Sequence, residues 1–199
     1  LGSEGMLFAL YITVFVCAAW RLLDRRQESR MSDVVSTTFT AAYVPFLASF
    51  VVLMLAAWRN PWVFVVFELM VIANDTGGWA AGVLFGKHPM APALSPKKSW
   101  EGFAGSALTA VGVGTVGLWW LGAAWWWGII AGISIAFVGT MGDLTESLIK
   151  REAGLKDMSK ILPGHGGVLD RVDALLMSAP VAYFIFAWAL PGISWESKH

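Results

Sequence analysis

The sequence predicts an all-α fold: a polytopic helical membrane protein with about six spans and a polar site at one membrane face. Three observations carry this. The chain is 57% hydrophobic and only 14% charged, with a mean hydropathy of +0.63, whereas a soluble domain carries about 25% charged residues. Its 199 residues divide into apolar segments near the roughly 20 residues that cross a bilayer as a helix. The polar residues, in contrast, are concentrated. Asp143 to Asp173 holds six carboxylates (Asp143, Glu146, Glu152, Asp157, Asp170, Asp173), five cations (Lys150, Arg151, Lys156, Lys160, Arg171) and a Pro-Gly-His-Gly-Gly turn at 163–167.

The remaining composition excludes several classes. Formal net charge is zero, so no bulk field points to nucleic acid. Cys17 is the only cysteine, which rules out an intrachain disulfide, and Cys17, His88 and His199 are too scattered for a zinc site. No linker, second domain or internal repeat interrupts the chain, so residues 1–199 read as one integral-membrane domain.

In chain order, Met6 to Leu23 is the first span, followed by a charged loop, Asp24 to Arg30. Asp33 to Trp58 is the second span, with Pro45 expected to kink it. Trp62 to Phe85 is the third, carrying Glu68 and then Asn74-Asp75-Thr76-Gly77-Gly78. Charge at membrane depth is costly and marks a bundle interior or watery cavity. The glycine pair predicts a broken segment whose freed backbone lines that cavity.

Gly86 to Glu101 is a basic, Pro-rich loop. Gly102 to Leu121 is the fourth span, and its glycines suit close helix packing. Trp119, Trp120 and Trp125 to Trp127 bracket a short turn, as an interfacial aromatic belt does. Ala124 to Met141 is the fifth span, continuing as helix to Arg151, and Val172 to Leu190 is the sixth. Alternation puts loops 21–30, 86–101 and 143–172 on one side, and their basic excess makes that side cytoplasmic.

The spacing within the polar stretch suggests chemistry. On a helix leaving Asp143, the residues Glu146, Ser147, Lys150 and Arg151 lie near one face. Asp170 and Asp173 share a face of the helix they open. Three carboxylates from two helices suit one or two hard divalent ions such as Mg²⁺, which binds through carboxylates, water and substrate phosphates. Lys150, Arg151, Lys156 and Arg171 can neutralise phosphate oxygens. Gly164, Gly166 and Gly167 permit a backbone whose N–H groups face an anion. His165 is equally suited to donating to a phosphate and to capping its turn. Lys97 and Lys98, in Ser95 to Gly102, can grip an anionic headgroup or nucleotide, or simply set topology. These residues alone point to a membrane-embedded, Mg²⁺-dependent enzyme acting on phosphates at the cytoplasmic surface.

The pattern Ser147-x-x-Lys150-Arg151, Lys156-Asp157, Leu162-Pro163-Gly164-His165-Gly166-Gly167, Asp170-Arg171-x-Asp173 spans 27 residues. It resembles the signature of the phosphatidate cytidylyltransferases, or CDP-diacylglycerol synthases. Asp75 to Trp79 and Ser95 to Gly102 resemble two further family segments, with Gly78-Trp79 where the family tends to have Ala-Tyr and Ser99 where it has Thr. The resemblance covers about 60–190, the expected catalytic part. The family usually has additional N-terminal spans, so the chain is expected to be N-terminally shortened.

The resemblance implies transfer of a cytidylyl group from CTP to phosphatidate, a bilayer lipid, giving CDP-diacylglycerol and pyrophosphate. It implies Mg²⁺, a second cation such as K⁺, a homodimer and an inner (plasma) membrane location in a bacterium. Asp143, Asp170 and Asp173 then become metal-centre carboxylates, and Lys150 a catalytic phosphate contact beside them. Asp75, Lys97, Lys98, Ser147, Arg151, Lys156, His165, Gly166, Gly167 and Arg171 are assigned to substrate and phosphate binding. A cation transporter using Asp75, Asp143, Asp170 and Asp173 is the non-enzymatic alternative, but it has little use for the neighbouring cations and glycine turn.

Overall fold

The computed structural model describes residues 2–23, 35, 38–92, 95–152 and 169–191, with backbone only at 2, 3, 21, 42, 146, 149–152 and 169–173. Six long helices dominate: α1 (Gly2–Leu23), α2 (Thr38–Trp58), α3 (Pro61–Phe85), α4 (Trp100–Trp120), α5 (Trp126–Glu152) and α6 (Leu169–Ala189). Among the described residues, four segments are long and apolar enough to cross a membrane: α2, α3, α4 and Trp126–Thr145 of α5. Glu4–Trp20 and Ala174–Ala189 are shorter apolar helical stretches. Many large apolar side chains point outward, among them Leu69, Leu108, Val116, Ile133 and Phe137. A surface of this kind needs lipid as its solvent.

Local chemistry sets the helix ends. Pro45 lies inside a π-helical turn, Ala42–Phe46, at the start of α2; the wider turn absorbs a residue that lacks an N–H. Arg59 in the left-handed region (φ 48°) ends α2. Asn60 then caps α3, its side chain accepting from the Trp62 N–H at 3.1 Å, with Pro61 in the first turn. After α4, Gly122 (φ 94°) closes a Schellman turn in which the Ala123 N–H reaches the Leu118 carbonyl at 2.9 Å.

The third span is not broken. α3 runs unbroken from Pro61 to Phe85, through Asn74 to Gly78. The glycines serve packing instead of a break, because α4 lies antiparallel against this face at backbone distance. A Cβ on Gly77 would come 2.8 Å from the Gly105 carbonyl, one on Gly105 would come 2.6 Å from the Gly77 carbonyl, and one on Gly117 would meet Val66 at 2.6 Å. The buried residues of α4 recur every fourth position, at Gly102, Ser106, Ala110, Gly114 and Leu118. Hydroxyls add polar ties: Ser106 donates to the Asn74 carbonyl and Thr109 to the Ala73 carbonyl, each at 2.7 Å. Gly112 has open space beside it and does not share in the packing.

α5 follows antiparallel to α4, with Gly128 against Thr115 and Gly132 against Val111. α6 packs on α5 where Gly139 meets Ala174 and Ser178. Phe67, Met70, Met54, Leu118, Ile135 and Phe186 form the fully buried core. The chain is also not purely helical. The basic loop contains a two-stranded antiparallel hairpin, β1 (Pro89–Ala91) and β2 (Ser95–Ser99), pairing Pro89 with Ser99 and Ala91 with Ser95. Its prolines sit on a two-stranded ribbon, where a missing N–H can face solvent.

Candidate active site

The hairpin delivers basic residues back over the helix ends. Ser99 ends β2 and caps α4, its hydroxyl accepting from the Gly102 N–H at 3.1 Å, so strand and helix meet without slack. One residue before, Lys98 reaches across to α5. Its ammonium contacts the Asp143 carboxylate (Oδ2) and lies 3.5 Å from the Thr140 carbonyl. Both partners of the ion pair are half-buried. This pair joins the basic loop at 86–101 to the start of the longest polar stretch of the sequence.

Around it lies a cavity of about 900 Å³. α3 supplies Asn74, Asp75, Gly78 and Gly82, the hairpin supplies Lys97 and Lys98, and α5 supplies Thr140 and Asp143; Lys87 also lines it. Asp75 accepts from the Asn74 side-chain amide at 3.1 Å and lies within electrostatic range of Asp143 and Lys98. The glycines of α3 bring α4 close at this level, where a Cβ on Gly78 would collide with the Ser106 hydroxyl. The arrangement gives three lysines and two carboxylates in one concavity, which suits an anion accompanied by a cation.

The expected site residues divide into three groups. Asp75, Lys97, Lys98 and Asp143 line this cavity together. Ser147 lies one turn beyond Asp143, and its hydroxyl donates to the Asp143 carbonyl at 2.8 Å, within its own helix. Lys150, Arg151, Asp170, Arg171 and Asp173 sit on helical backbone, but their side chains lie outside the described residues, as do Lys156, His165, Gly166 and Gly167 entirely. The backbone nevertheless sets levels. Gly139 on α5 meets Ala174 on α6, and the two helices run antiparallel. One helical turn toward the cavity, about 6 Å along the axis, brings position 143 level with position 170, and position 173 adjoins Ala174.

Among the described residues, no three His, Cys, Asp or Glu side chains are placed to hold a metal ion. The donor chemistry is compatible with one: Asp143 already faces a positive charge, the Lys98 ammonium, and carboxylate oxygens suit Mg²⁺.

Some features were not anticipated from sequence. Glu101 binds the hairpin's entry: its Oε2 accepts from the N–H groups of Lys87 and His88 at 3.2 Å each, and its Oε1 lies 2.6 Å from His88 Nδ1. The sequence signal was a carboxylate in the first turn of a helix, which has many uses. Asn74 is buried with its Oδ1 unpartnered among the described residues, as is the Ser178 hydroxyl.

Comparison with known proteins places this geometry. Residues 3–189 match the cytidylyltransferase family. The chain belongs to that family. A phosphatidate cytidylyltransferase of Mycobacterium bovis is 41% identical over 92% of this chain and 64% of its own length. One from Mycobacterium tuberculosis is 41% identical over 92% of this chain and 60% of its own length. One from Haemophilus influenzae is 42% identical over 59% of this chain and 43% of its own length. This cytidylyltransferase-family chain thus spans less than two thirds of the length of these relatives.

Proposed function

We propose that this chain carries the catalytic part of a membrane-embedded phosphatidate cytidylyltransferase, which moves the cytidylyl group of CTP onto phosphatidate at the cytoplasmic face of the inner membrane. The observation that carries the reading is the meeting of Lys98, Asp75 and Asp143 from three separate elements in one polar cavity at the end of an apolar bundle. Kinship with the mycobacterial enzymes supports the choice of substrates. In this reading the chain is one domain of six spans within a homodimer.

The chemistry needs little proton transfer. A phosphate monoester is largely ionised near neutral pH, its second pKa being about 6. A phosphatidate oxygen attacks the α-phosphorus of CTP, a new P–O bond forms, the bond to the β-phosphate oxygen breaks, and pyrophosphate leaves. The barrier is charge crowding, so alignment and positive charge carry the catalysis. Lys98 and Lys97 hold phosphate oxygens from the hairpin side. Lys150, Arg151, Lys156 and Arg171 do so from the opposite side, with His165, Gly166 and Gly167 shaping the turn, and Asp75 orients the nucleotide or headgroup. Asp143, Asp170 and Asp173 would hold Mg²⁺, with K⁺ as a second cation. Bound there, Mg²⁺ supplies charge neutralisation of nucleophile and leaving oxygens.

The test is pyrophosphate release from CTP by the purified chain in mixed micelles, with and without phosphatidate. Phosphatidate-dependent release is expected. Release without the lipid, or none with it, would refute the reading.

A further inference from the structure

We propose that Glu101 is the positioning residue of this cavity: it fastens the neck of the hairpin so that Lys98 stays over Asp143. Glu101 is absent from the cavity wall, and its carboxylate works at a distance from it. It lies in the first turn of α4 but uses both oxygens on the incoming strand: Oε2 on the Lys87 and His88 N–H groups, Oε1 on His88 Nδ1. The Trp100 N–H returns a bond to the His88 carbonyl at 3.0 Å. Residues 87–88 are therefore bound to residues 100–101 from both sides.

What hangs from this neck is β2, with Lys97 exposed and Lys98 half-buried. β1 and β2 form only a two-stranded ribbon, and an isolated hairpin is at best marginally stable in water. Without the neck, Lys98 would be tied to α4 only through the Ser99 cap and would move more freely over Asp143. A carboxylate serving only the helix dipole would not need to reach His88, an exposed side chain thirteen residues earlier. The geometry thus separates two tasks: lysines meet the ligand, and Glu101 holds the lysines.

The experiment measures Lys98 directly, by its rate of acylation with an amine-reactive ester, using Lys97 as internal control. In Glu101→Ala, Lys98 labelling is expected to rise about tenfold, the loss of roughly one hydrogen bond to a charged group, with Lys97 unchanged. Glu101→Gln keeps an accepting oxygen for the two N–H groups and should return labelling toward the parent. The kinetic arm rests on the proposed activity: Glu101→Ala should raise KM for CTP or phosphatidate about tenfold, with kcat held within about threefold. Unchanged Lys98 labelling in Glu101→Ala overturns the proposal, as does a fall in kcat at constant KM, which would put Glu101 in the chemistry. A parent chain that releases no pyrophosphate refutes the activity, whereas the labelling result still decides the role of Glu101.

Discussion

Replacing Lys98 with alanine tests the centre of the cavity. In the parent, three lysines (Lys87, Lys97, Lys98) and two carboxylates (Asp75, Asp143) line it. Removing Lys98 leaves two of each and strips Asp143 of its ammonium partner. A charge-assisted bond from a lysine to a phosphate oxygen is worth about 1.5–3 kcal/mol. At 1.4 kcal/mol per factor of ten, kcat/KM should fall about 10- to 150-fold. Lys98→Arg keeps the charge but brings a planar fork on a different stem, so it should recover only part of the loss. The assay is the initial rate of pyrophosphate release against CTP and phosphatidate separately, with thermal unfolding in detergent as a folding control. A kcat/KM within twofold of the parent, in a normally folded variant, would refute the assignment of Lys98 to substrate.

Other perturbations address the remaining parts. Asp173→Ala should abolish turnover while leaving the fold intact, measured by activity and circular dichroism; near-normal rates with Mg²⁺ would remove Asp173 from the metal set. Chelation of divalent cations should stop pyrophosphate release, and Mg²⁺ should restore it; activity that survives chelation would exclude a metal requirement. Gly105→Leu forces a side chain toward the Gly77 carbonyl, where a Cβ alone would sit 2.6 Å away. It should destabilise the chain by about 1–3 kcal/mol or more, read as a lowered Tm in detergent. Ser178→Ala removes a buried hydroxyl without a partner among the described residues and should be neutral or stabilising; a loss above about 1 kcal/mol would reveal a hydrogen bond through water.

The helices were legible because lipid-facing segments are long and uniformly apolar, and the observed ends of α3, α4, α5 and α6 fall close to those expected. The Asn74–Gly78 interruption was misread for a definite reason. Glycine in a helix signals either a break or a close neighbour, and only the partner helix decides. Here the neighbour, α4, presents Gly105, Ser106 and Thr109 at that level. The hairpin was hidden because prolines and lysines carry no strand periodicity. Asp75, Lys97, Lys98 and Asp143 were each legible as polar residues at a membrane edge. That Lys98 pairs with Asp143 was not, because the two lie 45 residues apart and nothing local encodes their meeting.

The spacing of glycines along α5 has a mechanical consequence. Gly128 and Gly132 lock its far end against Thr115 and Val111 of α4, while its other end touches the hairpin through Lys98. α3 and α4 are seamed by small residues along most of their length, so they behave as one plank. α5 therefore meets this plank in two ways: backbone to backbone beside the tryptophans, and through the Lys98–Asp143 ion pair at the cavity.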